Sequence, residues 1–90
     1  MSELVHVGFE HYIPTNRIIA IIPRKTPTSK RLRALIQEAE SKGLLLDLTG
    51  GKKVKSIIIF DTGHLALAAI AAETIAGRIS GGSRREKEKR

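Results

Sequence analysis

Apolar residues recur along this chain in two rhythms. Short runs rich in β-branched and aliphatic residues, bounded by turn formers, alternate with one long stretch of helical spacing. "ELVHVG" (3–8) predicts a first short strand, and "RIIAIIP" (17–23) a second that is stopped by Pro23. "FEHYIPTN" between them reads as a loop, as does "RKTPTS", where Thr26 or Ser29 suits a helix N-cap and Pro27 a first helical position. From there to Lys42, Leu32, Leu35, Ile36 and Ala39 fall at i, i+3, i+4 and i+7, one apolar stripe of a helix that Gly43 ends. "LLLDL" (44–48) and "VKSIIIF" (54–60) read as strands joined as a hairpin through Thr49-Gly50-Gly51. Three isoleucines in a row, Ile57 to Ile59, predict a strand covered on both faces. After a turn at "DTGH", "LALAA" predicts another strand and "AAETIAGRI" (71–79) a second helix. The class is α+β, in the order ββαβββα, as one domain over residues 1–80. Residues 81–90, "GGSRREKEKR", hold no apolar residue and predict a disordered basic tail.

Ninety residues support one small core, a size that commonly gains stability by self-association. The chain has no cysteine, which excludes disulfides and thiolate metal sites. It has no apolar run near the roughly 20 residues of a membrane span, and its start lacks the apolar stretch of a secretory leader. A cytoplasmic protein is expected. The net charge of +7 adds direction, because ten Lys/Arg against Glu38, Glu40 and Asp47 fall within residues 17–55. An excess placed in the folded part points to a polyanionic partner, most often nucleic acid.

Candidate chemistry of other kinds fails on spacing. "GGKK" lacks the upstream glycine and the following Ser/Thr of a phosphate loop, since Leu46 and Lys53 hold those positions. Asp61-Thr62-Gly63 resembles the signature of retroviral-type aspartic proteases, but too few residues separate it from Gly77 for that fold, and a turn explains it. His6, His11 and His64 show no metal-ligand spacing. No catalytic set, cofactor or metal is expected. Aromatic rings are scarce (Phe9, Tyr12 and Phe60), which favours duplex recognition through phosphates over stacking on single strands.

The basic residues themselves form a constellation. Arg17 opens the second strand; Lys30, Arg31 and Arg33 lie near the helix start, where cations oppose the macrodipole but suit a phosphate. Lys52, Lys53 and Lys55 follow the glycines, with Lys53 and Lys55 alternating against Val54 on one strand face.

"NRIIAII" followed by "IQEAESKGLLLDLTGGKKVKSIIIFDTGHLALAAIAAETIAGRI" resembles the RemA family of small bacterial regulators of extracellular-matrix genes. The resemblance covers roughly residues 4–79 and rests on the order of Asn16-Arg17, Ile36-Gln37, Gly43, Asp47, the basic pair after Gly51, Glu73-Thr74 and Arg78. It implies a DNA-binding transcription regulator without enzymatic activity, built from dimers into closed rings that bend duplex DNA. Arg17, Lys52 and Lys53 match the family's DNA-contacting arginines; Lys30, Arg31, Arg33 and Lys55 are possible further contacts. Lysines stand here where the family commonly has arginines, Gly50 replaces a bulkier residue, the 23–29 loop is longer, and "GFEHYIP" departs from Gly-Phe-Gly-Asn. Lysine offers a point charge and no planar fork, so backbone contact is favoured over base reading. The alternatives from other classes are an RNA-binding or ribosome-associated protein, and a self-assembling scaffold for acidic proteins or lipids.

Overall fold

The computed structural model describes residues 3–24 and 28–81. Strand β1 (Leu4–His6) turns into β2 (Tyr12–Pro14), and a 3-10 turn (Thr15–Arg17) leads to β3 (Ile18–Pro23). Helix α1 (Lys30–Ser41) follows, then β4 (Leu45–Asp47), β5 (Ser56–Phe60), β6 (Leu65–Ala68) and α2 (Ala72–Gly81). This is the expected α+β class with one strand more, β2, inside the segment that the sequence marks as a loop. Of the expected tail over 81–90, Gly81 instead ends α2; the rest of it, and the placement of Thr26 and Pro27, lie outside the described residues.

β1 and β2 form a small antiparallel hairpin, and the other four strands form one sheet in the order β3-β5-β6-β4. β5 is central and antiparallel to both neighbours. Its alternation divides the interior. Ile57 packs with Leu65, Ala39, Leu32 and Ile36 beneath α1, while Ile58 and Phe60 pack with Val5, Val7, Ile13 and Ile75 beneath the hairpin and α2. Ile57 and Ile58 are wholly buried, which confirms the two-sided cover expected from the isoleucine run. Arg78 Nη1 donates to the His6 carbonyl at 2.8 Å and ties α2 to β1.

The expected β4–β5 hairpin does not form. β4 pairs in parallel with β6, which lies between the two. Leu48 N–H donates to the Leu67 carbonyl and Lys55 N–H to the Ala68 carbonyl, so residues 48–55 cross the end of β6. The physical reason is burial: Leu65, Ala66 and Ala68 are all buried, and a strand that apolar on both faces gains most from a place inside the sheet. The close hairpin is instead β5–β6, turned by Asp61-Thr62-Gly63-His64.

Helix α1 starts where Ser29 Oγ accepts the Leu32 N–H at 3.1 Å. It ends in a Schellman motif: Leu44 N–H reaches the Ala39 carbonyl at 2.8 Å and Gly43 N–H the Glu40 carbonyl at 3.1 Å, with Gly43 at φ 74. The buried stripe is narrower than expected, since Leu35 is exposed.

Candidate nucleic-acid interface

The Lys-rich segment is built on a fixed turn. Asp47 Oδ1 accepts from Thr49 Oγ1 at 2.6 Å and from Thr49 N–H at 3.0 Å, and Thr49 Oγ1 accepts the Gly51 N–H at 3.3 Å. Thr49 is thereby buried without an unmet polar group. These bonds, the Thr49 hydroxyl first and then its N–H, hold the Asp47 carboxyl below its ordinary value. Lys52 N–H closes the turn on the Thr49 carbonyl at 3.1 Å.

From this base Lys52, Lys53 and Lys55 project exposed, with Val54 between them half-buried under α1. The alternation expected for 53–55 is therefore present, although β5 itself begins only at Ser56. The wholly buried Ser56 donates from Oγ to the Ile70 carbonyl at 2.7 Å and anchors the segment. The three lysines line one groove with Phe9 and Ile70.

Two arginines join them. Arg24, at the end of β3, donates its N–H to the Lys55 carbonyl at 3.1 Å and shares a groove with Lys53 and Lys55. Arg33, from the first turn of α1, faces Arg24 across a cleft floored by Ile36, Val54 and Leu67, and its Nη2 donates to the Thr28 carbonyl at 3.2 Å. Sequence reasoning missed Arg24, because only the pairing of Pro23 with Ser56 brings it to the lysines. Lys30 and Arg31 are exposed on the same first turn but line none of these grooves. That turn carries no acid, whereas α2 has Glu73 in its first turn and Arg78 in its last. Of the two described helices, α1 alone opens on cations that oppose its dipole.

Arg17 is not part of this cluster. It closes the 3-10 turn just before β3 rather than opening the strand, and β3 runs antiparallel to β5 from Ile18 opposite Phe60 to Pro23 opposite Ser56. The length of β5 separates Arg17 from Lys55, about 20 Å at 3.4 Å per residue. Arg17 Nη1 lies 3.4 Å from Asp61 Oδ2, an exposed pair. The aspartate of the protease-like tripeptide is thus a turn residue facing a cation. Among the described residues the other salt bridge is Lys42–Glu38, so Lys52, Lys53, Lys55, Arg24 and Arg33 have no acidic partner there. No group of three metal-ligating side chains occurs among the described residues, and no described helix is long and apolar enough to cross a membrane.

Comparison with known proteins gives this arrangement its context. A chain of Dehalococcoides mccartyi strain BAV1 named "Putative regulatory protein" is 50% identical over 78 residues, covering 87% of this chain and 78% of that one. A protein of the same name from Dictyoglomus thermophilum is 36% identical over 85 residues, covering 94% and 96%. One from Halothermothrix orenii is 38% identical over 79 residues, covering 88% and 90%. The family described as "Extracellular matrix regulatory protein A-like" matches residues 4–79, and the chain belongs to this RemA-like family of regulatory proteins.

Proposed function

We propose that the protein is an oligomeric transcription regulator that binds duplex DNA through the phosphate backbone, with Lys52, Lys53 and Lys55 at the centre and Arg24 and Arg33 beside them. The observation that carries this reading is the group of exposed cations at the Ser56 end of the sheet without an acidic partner among the described residues. Charges placed for solubility alone are interspersed with acids; here cations predominate, with Glu73 lining the Arg24–Lys53–Lys55 groove without pairing to any of them, and the lysines follow a hydrogen-bonded turn. On this proposal the protein acts by binding, without catalysis, and its targets are genes of the extracellular-matrix type, a reading supported by the family description "Extracellular matrix regulatory protein A-like".

Arg17 enters through assembly. About 20 Å separates it from the lysines, roughly six base pairs of duplex. In a ring of copies, each duplex segment meets the Arg17 end of one protomer and the lysine end of the next. Self-association draws on side chains that a monomer leaves in water, foremost Ile19 at 65% exposure on the bulged edge strand β3. Ile57 and Ile58 of β5 are wholly buried and Ile59 is half-buried against the core, so subunit contact falls chiefly to β3 and to Leu4 and Tyr12 on the hairpin strands.

Titration of duplexes of about 20 and 100 base pairs across a range of salt tests the reading. Repeated weak phosphate contacts predict salt-sensitive binding far tighter on the long duplex. Equal affinity for both lengths refutes multivalency, and absence of binding at low salt refutes the DNA reading. Preference for structured RNA in direct competition would move the assignment to RNA.

A further inference from the structure

Resting on that DNA-binding reading, we propose that Phe9 is a nucleic-acid contact in its own right, an apolar wedge that enters a base step of the duplex gripped by Lys52, Lys53 and Lys55. The β1–β2 connection is a tight turn in which His11 N–H donates to the Gly8 carbonyl at 2.9 Å and Val7 N–H to the His11 carbonyl at 3.0 Å. Its two central residues, Phe9 at φ 53 and Glu10 at φ 62, are both left-handed. A turn of that kind normally takes Asn-Gly, because a Cβ is disfavoured in this region. A sequence selected for stability would not place phenylalanine there. Strain held at an exposed position is a mark of function.

The ring's surroundings say what it meets. Phe9 is 50% exposed and lies against Gly50, where an added Cβ would stand 3.0 Å from two ring carbons. The glycine of the lysine-bearing turn therefore seats the ring in the groove that Lys52, Lys53 and Lys55 line. A second copy of this face would bring lysine against lysine. A duplex instead offers phosphates to the lysines and stacked bases to the ring, and apolar wedges of this kind unstack a step and kink the helix. Phe60 is buried and unavailable for such a role. Glu10, on the same turn, opposes phosphate approach.

The test uses the full chain and a duplex of about 40 base pairs, dye-labelled at its ends to report bending and carrying 2-aminopurine to report unstacking. Phe9→Asn suits the left-handed backbone and should fold at least as well as the parent. The parent should bend the duplex and raise 2-aminopurine fluorescence. F9N should lose both and bind about tenfold more weakly, in the range of one lost base–aromatic contact, with the same salt dependence because no phosphate contact is removed. E10Q should tighten binding. Bending and fluorescence unchanged in F9N, or affinity unchanged in E10Q, overturn the wedge. So does a change of assembly size in F9N with DNA binding intact, which would assign the ring to a copy–copy contact. A Lys52→Ala/Lys53→Ala variant separates the two levels. Loss of salt dependence there with F9N silent sinks the wedge alone, whereas no DNA binding by the parent sinks both.

Discussion

Removing Lys52 and Lys53 together gives the sharpest test of the interface, because its size follows from the structure. Both side chains are exposed, neither has an acidic partner among the described residues, and the turn beneath them is held by Asp47, Thr49 and Gly51. The K52A/K53A chain should therefore fold with stability within about 0.5 kcal/mol of the parent. Each lysine that neutralises a phosphate adds about 0.9 to the slope of log affinity against log salt, so the pair adds about 1.8 for every engaged protomer. Between 50 and 200 mM salt the parent should lose about 12-fold more affinity per engaged protomer than the variant. Fluorescence anisotropy with a short duplex, repeated at five or six salt concentrations, reads that slope directly. K52R/K53R restores the charge and should restore the slope, while its planar forks strengthen each contact. An unchanged slope in K52A/K53A, with the fold intact by circular dichroism, would refute the assignment of these lysines to DNA.

Other positions test the scaffold. Ser56→Ala leaves the Ile70 carbonyl without its 2.7 Å donor and should cost about 1–3 kcal/mol, seen as a lowered urea midpoint at unchanged m-value. Asp47 has a carboxyl held below its ordinary value in the folded state, so its stabilisation is present above the unfolded value and lost as pH falls through the folded one. Melting curves from pH 5 down to pH 2 should show a loss that Asp47→Asn reduces; parallel profiles for the two chains would count against this turn as a stabilising element. Ile19→Asp places a charge on the exposed bulge of β3 and should reduce the assembly to smaller species by light scattering, with the subunit still folded. Undiminished mass in that variant would move the subunit contact elsewhere.

Local signals in the chain were legible and non-local ones were not. Helix α1 could be read because its stripe, its Ser29 cap and its Gly43 stop are neighbours in sequence and agree with one another. The two-sided cover of β5 followed from three consecutive isoleucines, of which Ile57 and Ile58 are wholly buried, although its place between β3 and β6 did not. β2 was hidden because it is three residues long, contains Pro14, and is entered by a Phe-Glu turn where a hairpin normally announces itself with Asn-Gly. The parallel pairing of β4 with β6 was hidden for a different reason. Two strands with glycines between them look like a hairpin, and only the competition for the sheet interior, won by the apolar β6, shows otherwise.

The same division runs through the site, and it bears on how the protein must work. Lys52, Lys53 and Lys55 are close in sequence and stay close in space, so their clustering could be read directly. Arg24 and Arg33 join them only through the β3–β5 register and the docking of α1. Arg17, 35 positions from Lys52 in the chain, is carried by that same register to the far end of the sheet, beside Asp61. An exposed pair of that kind contributes little to stability, about 0–1 kcal/mol, so a phosphate can displace Asp61 at small cost. A lone protomer would then hold duplex at two separated points, each weak. Affinity enough to regulate a gene requires the points to be repeated along the DNA, and repetition requires copies in fixed register. Assembly and DNA binding are on this reading one property, and a variant that loses the first, such as Ile19→Asp, should lose tight binding to long duplex while keeping the weak, salt-sensitive binding of a single subunit.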